Sequence, residues 1–177
     1  WCATFLRGGA SGSFSVTGNV TVSAGWIELQ GGPGNGTPFL GGDLTLTNGG
    51  QMYVFGGATN SPSVDYGILV SLAGDVRVAS NSWIYPYSHS ENGGSPRLHM
   101  RNLFLAPGGG LDADNRGFRG ASSLSEGGWG PGGTLSAGNS GSGGGGHGGK
   151  GGDSIGSAGG AVYGSSNAPS LPGSGSG

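Results

Sequence analysis

A pattern of strand, corner and strand recurs four times between residues 13 and 113. Each copy begins with Asn or Asp and alternating apolar residues, turns at a short stretch of small and polar residues, and continues into a second strand-like segment. The copies begin at Asn19, Asp43, Asp75 and Asn102, which lie 24, 32 and 27 residues apart. A fixed order of segments at such a period is typical of solenoids, in which each repeat is one turn of the chain.

A third short strand precedes each copy, so every repeat holds three strands joined by tight corners. These strands contain Phe14-Ser-Val, Pro38-Phe-Leu, Gly67-Ile-Leu-Val-Ser-Leu and Arg97-Leu-His-Met. The sequence therefore predicts an all-β chain. Residues 1–113 are expected to form a parallel β-helix (β-solenoid) of about four rungs, with an N-terminal cap or docking strand. A β-sandwich is the alternative, because its short strands also recur with turn signals between them.

The alternation within the opening strands predicts which side chains face inward. Successive side chains of a strand point to opposite faces, so apolar residues two positions apart share a face. The inward set is Val20, Val22, Leu44, Leu46, Val76, Val78, Leu103 and Leu105, and the outward set is Thr21, Thr45, Arg77 and Phe104. We expect the inward residues to stack from rung to rung as aliphatic ladders.

Glycine accounts for 46 of the 177 residues, whereas only 33% of the residues are hydrophobic and 9% are charged. Glycine loses the most backbone freedom on folding, so a chain of this kind is ordered only if its backbone is thoroughly hydrogen-bonded. The low charge and the four Trp, five Tyr and six Phe residues favour order over disorder. Gly, Pro, Asn and Ser interrupt every apolar stripe of helical period, so no helix is expected.

Residues 114–177 are the richest in glycine and are expected to form a second region. A flexible linker has no need of the large residues Trp129, Ile155, Val162 and Tyr163 that recur in this region. The alternative is extended, polyglycine II-like backbone in which neighbouring segments pair, packed on the rungs or continuing them. The glycines expected to pack backbone against backbone are Gly144, Gly145, Gly148 and Gly149.

Four segments of this second region occur in a characteristic order. They are Leu111-Asp-Ala-Asp-Asn-Arg-Gly-Phe-Arg-Gly120, Gly143-Gly-Gly-Gly-His-Gly-Gly-Lys-Gly-Gly152, Gly159-Gly-Ala-Val-Tyr-Gly-Ser165 and Pro172-Gly-Ser-Gly-Ser-Gly177. This order resembles the large glycine-rich extracellular β-helix proteins, in which a GGGGHGGxGG … YGS … GSGSG block follows β-helical rungs. Pro172 departs from that pattern, which has an apolar residue such as Leu at this position. The resemblance implies a secreted or surface-exposed structural role and transfers no catalytic residue.

These observations predict a non-enzymatic extracellular or cell-surface structural protein. It would be a subunit or segment of a filament, sheath or adhesin stalk. Its partners would be further copies of itself or neighbouring segments of a longer chain, paired through β-strands and glycine-rich backbone. We expect no catalytic residue.

A carbohydrate-binding surface adhesin is the alternative function, with glycans as partners. Trp26, Tyr53, Trp83, Tyr85 and Tyr87 lie at equivalent or neighbouring places in the repeats and would form an aromatic strip against sugar faces, or an interface. A polysaccharide-acting β-helix enzyme has less support, because the nine carboxylates of the chain are scattered mainly over corners and loops.

No cofactor is expected, with calcium as the one alternative. Asp112 and Asp114 place oxygen ligands at alternating positions, as a calcium loop does, but turn residues with local hydrogen bonds account for the same pattern. Seven basic residues without a cluster argue against nucleic acid as a partner. No apolar run reaches the length of a membrane span. Asn19 and Asn35 lie in glycosylation sequons, and the single Cys2 could pair only with another chain.

Overall fold

The structure is a computed structural model that describes residues 4–5, 15–31, 38–59, 66–123, 126–134, 143–165, 167 and 171–176. Over these residues the chain is all-β, with no helix, and its strands pair in parallel in three sheets. The predicted fold class is confirmed at this level, and the arrangement is compatible with a β-solenoid. The chain divides into two compact units, Trp1–Tyr87 with Gly94–Ala113, and Ser88–Gly93 with Asp114–Gly177.

Thirteen strands are present in the described residues, all of them in the first unit. They are β1 (Thr4–Phe5), β2 (Ser15–Val16), β3 (Val20–Ser23), β4 (Trp26–Gln30), β5 (Phe39–Leu40), β6 (Leu44–Thr47), β7 (Gln51–Phe55), β8 (Ile68–Leu72), β9 (Val76–Val78), β10 (Trp83–Tyr87), β11 (Pro96–His99), β12 (Leu103–Leu105) and β13 (Gly110–Leu111). Sheet A has the order β1-β4-β7-β10-β13, sheet B the order β11-β8-β5-β2, and sheet C the order β12-β9-β6-β3.

From β2 onward the strands visit the sheets in the fixed order B, C, A. We call each such triplet a rung, so that β2–β4 form rung one and β11–β13 form rung four. Strand β1 lies outside this count and pairs with β4, where Thr4 is opposite Ile27. It occupies the place of a docking strand at the first-rung edge of sheet A.

The core of the first unit consists of inward-facing aliphatic residues from all three sheets. In sheet C, Leu44 is in register with Val20 on one side and Val76 on the other, as the alternation predicts. The buried apolar side chains are Ile27, Leu29, Leu40, Leu44, Leu46, Met52, Val54, Ile68, Val70, Leu72, Val76, Val78 and Ile84. These residues come mainly from rungs two and three, which have a rung on either side.

The corners between sheets C and A are tight turns. The N–H of Gly50 donates to the Thr47 carbonyl at 2.9 Å, and the N–H of Gly109 donates to the Ala106 carbonyl at 3.0 Å. The residues before them, Gly49 and Gly108, have φ of 76° and 78°, which favours glycine. Each turn therefore carries the chain from sheet C to sheet A within one rung.

Glycine is also needed at these corners for close approach. A Cβ on Gly109 would stand 3.2 Å from the Ser82 carbonyl oxygen and closer still to that of Ala79. In rung three the equivalent corner position is held by Ser82, whose Oγ is buried with no hydrogen-bond partner in the described structure. Backbone of successive rungs thus meets directly at the corner, with little space for side chains.

The second unit is held together by hydrogen bonds between extended segments outside any strand ladder. The N–H of Gly146 donates to the Gly132 carbonyl at 2.8 Å, and the N–H of Gly160 donates to the Gly144 carbonyl at 2.9 Å. Residues 88–93, which the sequence placed among the rungs, also belong here, because the Arg119 N–H donates to the Ser90 carbonyl at 2.9 Å.

Candidate functional site

Aromatic side chains form a strip on the outward face of sheet A. Tyr53 and Tyr85 lie at the same position of adjacent strands β7 and β10, and two residues further on Phe55 is opposite Tyr87. All four side chains are half-buried. The sequence predicted Trp26, Tyr53, Trp83, Tyr85 and Tyr87 as members but did not include Phe55. The spacing of two from Tyr53 was the signal that could have identified it.

The rings of this strip stack on one another along the direction of the rungs. The Tyr53 and Tyr85 centroids are 5.0 Å apart with 24° between the planes, and those of Phe55 and Tyr87 are 4.6 Å apart with 21°. Trp26 meets Tyr53 edge-on at 6.1 Å. A sugar binds to the open face of a ring, whereas these faces are directed at neighbouring rings. The geometry therefore supports stacking between rungs better than a sugar platform.

The Asn and Asp residues that open the repeats form a hydrogen-bonded ladder, which we call the Asx ladder: Asn19, Asp43, Asp75 and Asn102. The Asp43 N–H donates to Asn19 Oδ1 at 2.9 Å, and the Asp75 N–H donates to Asp43 Oδ1 at 2.9 Å. Asn102 Nδ2 then donates to Asp75 Oδ1 at 2.9 Å. The side chain of one rung thus binds the next rung.

Two arginines neutralise the one buried carboxylate of this ladder. Arg101 Nε lies 2.8 Å from Asp75 Oδ1, and an Arg77 guanidinium nitrogen lies 2.9 Å from Asp75 Oδ2. Hydrogen bonds from Arg101 and then Asn102 lower the pKa of Asp75 to about 2, against desolvation that acts in the opposite direction. The same pair raises the pKa of Arg101. Asp75 is consequently ionised throughout the range in which proteins normally function.

Rung four exposes side chains that its register places on the inward face. Leu103 and Leu105 are in register with Val76 and Val78 of the preceding rung. Val76 and Val78 are each 1% exposed, whereas Leu103 is 41% and Leu105 48% exposed. The inward assignment is confirmed by register, but the expected burial of these two leucines is wrong, because no further rung of the described chain covers them. Leu111 in sheet A is exposed in the same way.

The glycines from Gly143 to Gly146 face their neighbours with a period of three. A Cβ on Gly143 would meet the carbonyl of Ala158 at 2.6 Å, and one on Gly146 would meet that of Gly160 at 2.7 Å. Gly144 faces Gly152, at 3.3 Å from its nitrogen, and Gly145 faces the 174–175 segment, at 2.9 Å from the Gly175 oxygen. Gly143 and Gly146, three residues apart, thus face the same neighbouring segment, and at Gly143, Gly145 and Gly146 a Cβ would clash with backbone atoms.

Gly148 and Gly149 differ from the packing that the sequence predicted for them. Nothing lies within 4 Å of a Cβ at either position, so neither is packed backbone against backbone. They follow His147 in a turn in which the Gly148 N–H donates to the Tyr163 carbonyl at 2.9 Å. Gly148 has φ of 58°, so glycine is favoured at this position by the backbone conformation and not by close packing against another segment.

The remaining candidate residues are Asp112, Asp114, His147, Cys2 and Asn35. The described residues contain no group of three or more His, Cys, Asp or Glu side chains suited to a metal ion, so Asp112 and Asp114 are not part of such a group. His147 packs edge-on against Tyr163 with ring centroids 4.9 Å apart, and its buried Nε2 has no hydrogen-bond partner in the described structure. Cys2 and Asn35 lie outside the described residues.

Comparison with models of protein families, with curated protein sequences and with solved structures gives no significant match to this chain. Within the part of the chain that the structure describes, no helix has the length and apolar character needed to span a membrane. Any function must therefore be argued from the geometry described above.

Proposed function

We propose that this chain is a non-enzymatic structural protein that self-associates into an extracellular assembly such as a filament, sheath or adhesin stalk. In this proposal the first unit is a β-solenoid of four rungs. The second unit is a polyglycine II-like bundle. The observation that carries the proposal is the open rung-four end, where inward-facing leucines are half exposed although the same rows are buried in rungs two and three.

Covering that end would be favourable for two reasons. Apolar surface removed from water contributes about 25 cal/mol per Å², and Leu103, Leu105 and Leu111 each present such surface on one side of the same rung. The strands β11, β12 and β13 are also the outermost members of their sheets. An outermost strand offers unpaired N–H and C=O groups that template the addition of another strand.

The period of three in the second unit supports its assignment as polyglycine II-like. A polyproline II helix has three residues per turn and no internal hydrogen bonds, so every third residue faces the same neighbour and the bonds run between segments. Gly143 and Gly146 both face residues 158–161. The Gly146 N–H donates to the Gly132 carbonyl and the Gly160 N–H to the Gly144 carbonyl, so the bonds run between segments. A bundle of this kind is rigid because each segment is held by others, which suits a structural element.

The extracellular location and the resemblance to glycine-rich β-helix proteins remain predictions from the sequence. Carbohydrate binding has less support than self-association, because the rings of Tyr53 and Tyr85 stack on each other. Binding of the purified chain to a glycan array would nevertheless favour the adhesin function over a purely structural one.

Sedimentation of the full chain over a wide concentration range, with negative-stain microscopy of the same samples, tests the proposal. We expect oligomers or filaments whose size increases with concentration. Leu105→Asp should prevent this association, because it introduces a charge at the rung-four end that association would bury. Thr45→Asp is the matched control, since Thr45 faces outward in rung two, and it should associate as the native chain does. A monomer at every concentration would contradict the proposal.

A further inference from the structure

We infer that the occupant of the open rung-four end is the first rung of a second copy of this chain, added head to tail in the register of the rungs. This inference rests on the proposed self-association and specifies its interface. In this joint β12 pairs in parallel with β3 of the next copy. Leu103 would lie opposite Val20, Phe104 opposite Thr21, and Leu105 opposite Val22.

The backbone hydrogen bonds between rungs define this register. The Val20, Leu44 and Val76 N–H groups donate to the carbonyls of Asp43, Asp75 and Asn102 of the following rung, at 2.8, 2.9 and 2.8 Å. The next donor in this series is the Leu103 N–H. The acceptor that continues the series is the carbonyl of Asn19 in a second copy, because Asn19 is the member of the Asx ladder in rung one.

The Asx ladder has matching ends. Asn19 Oδ1 and Asp43 Oδ1 each accept a hydrogen bond from the backbone N–H of the next member of the ladder. Asn102 holds the last place, where its side chain is exposed and carries an acceptor oxygen. Asn19 holds the first place, where its N–H is the donor equivalent to those of Asp43 and Asp75. Joining Asn102 to Asn19 extends the ladder with the same chemistry.

The apolar side chains at the two ends are also complementary. Val16, Val20 and Val22 of rung one pack against the core but are only partly buried. At the other end, Leu98 and Met100 are likewise packed against the core and only partly buried. Inside the chain, a Val of rung one pairs with a Leu of rung two, as Val22 does with Leu46. A Leu105 to Val22 contact between copies reproduces this pairing of aliphatic side chains.

Sheet A adds a condition to the joint. Strand β1 already pairs with β4 on the side that faces away from β7. In a head-to-tail stack, β13 of the preceding copy would occupy this same place beside β4. The two strands compete for one edge, so β1 has to leave for all three sheets to continue. Strand β1 consequently acts as a cap that limits association.

Cysteine cross-linking of the full chain tests the register. Adjacent parallel strands lie about 4.8 Å apart, which is within the Cα separation of about 4.4–6.8 Å that a disulfide accepts. We would place Thr21→Cys and Phe104→Cys, both outward-facing, in a chain whose native thiol is removed by Cys2→Ser. After mild oxidation, a non-reducing gel should show a series of covalent oligomers larger than dimers.

Three controls make the result specific. Each single cysteine variant can form at most a covalent dimer. The pair Thr21→Cys with Ala106→Cys is two residues out of register and should form far fewer large oligomers. Adding Thr4→Pro to the matched pair should increase the fraction of large oligomers, because proline at the position opposite Ile27 cannot donate a hydrogen bond to β4.

The outcomes separate this inference from the proposed self-association. If the chain associates but the matched pair gives no more than the single-variant dimers, head-to-tail stacking is wrong while self-association survives. Equal cross-linking by the out-of-register pair would refute the register. An unchanged yield with Thr4→Pro would refute the capping role of β1. A chain that remains monomeric contradicts both proposals.

Discussion

Two leucines of the same inward row should respond very differently to truncation. Leu46 is fully buried in rung two, with 0% exposure, whereas Leu105 in rung four is 48% exposed. Both side chains face inward in sheet C, and Leu→Ala removes the same atoms from each. What differs is the number of rungs that cover the side chain.

The structure sets the size of each effect. A fully buried Leu→Ala costs about 2–5 kcal/mol of unfolding free energy, because a cavity adds to the lost transfer energy. For Leu105, about half of a burial energy of roughly 1.5–3 kcal/mol is lost, and solvent fills the space, which gives about 1 kcal/mol. The expected difference is therefore about 2 kcal/mol, or roughly 30-fold in the unfolding equilibrium.

Urea denaturation followed by circular dichroism measures both values. At dilute concentration we expect Leu46→Ala to be much the less stable variant. At concentrations that favour association, the cost of Leu105→Ala should rise towards that of Leu46→Ala, because a neighbouring copy would bury Leu105. If the two variants lost equal stability in dilute solution, the exposure of Leu105 at the rung-four end would be refuted. A cost for Leu105→Ala that never changes with concentration would refute its burial by a second copy.

Three further substitutions test other features. Asp75→Asn should lower stability at neutral pH. The pKa of Asp75 is about 2 in the folded chain and 3.8 ordinarily, so the ionised carboxylate stabilises the fold above about pH 4 and this contribution is lost as the pH falls to about 2. Over that pH range the denaturation midpoint of the native chain should therefore fall more than that of Asp75→Asn. Gly145→Ala should destabilise the second unit in thermal melts by at least about 1 kcal/mol, whereas Gly149→Ala, with open space around it, should be neutral; equal effects would contradict the bundle packing. Tyr85→Leu should cost about 0.5–1.5 kcal/mol in urea denaturation beyond its change in buried area, through the lost ring stack, and a neutral effect would indicate that the ring contacts carry no energy.

Much of the first unit could be predicted because alternation and turn chemistry act locally. Val20 and Val22 belong on one face whatever the tertiary structure, since a strand has a period of two. Glycine pairs such as Gly49-Gly50 mark a corner for an equally local reason. Four copies in the same order then leave few arrangements other than stacked rungs. The prediction of inward and outward faces succeeded for this reason.

The contacts between rungs were harder to predict because they depend on register. Nothing in the sequence near Asp75 states that Arg101, 26 residues later, is adjacent to it in space. The same holds for the rings of Tyr53 and Tyr85, which the sequence placed in one strip but could not orient. An aromatic strip with ring faces turned outward and one with rings stacked on each other have the same spacing. Only the structure distinguishes the two.

In the glycine-rich unit, composition predicts close packing but not which glycines pack. In a helix with three residues per turn, three successive residues face three different neighbouring segments. Those segments come from distant parts of the chain. Gly145 faces the 174–175 segment, whereas Gly149, four residues later in the same block, faces open space. A run of identical residues contains no signal that separates them.

The two units use glycine for different physical purposes, and this explains why one chain needs so many. In the first unit, side chains supply the stabilising burial and glycine is required only at corners, where the backbone of one rung touches the next, as at Gly109. In the second unit the backbone itself fills the interior, so hydrogen bonds such as that from Gly160 to Gly144 replace apolar contacts. Since a net hydrogen bond contributes only about 0.5–1.5 kcal/mol, many must form together, and each Cβ that separates two segments removes several. An added Cβ is therefore excluded only at the corners of the first unit, but along whole segments of the second.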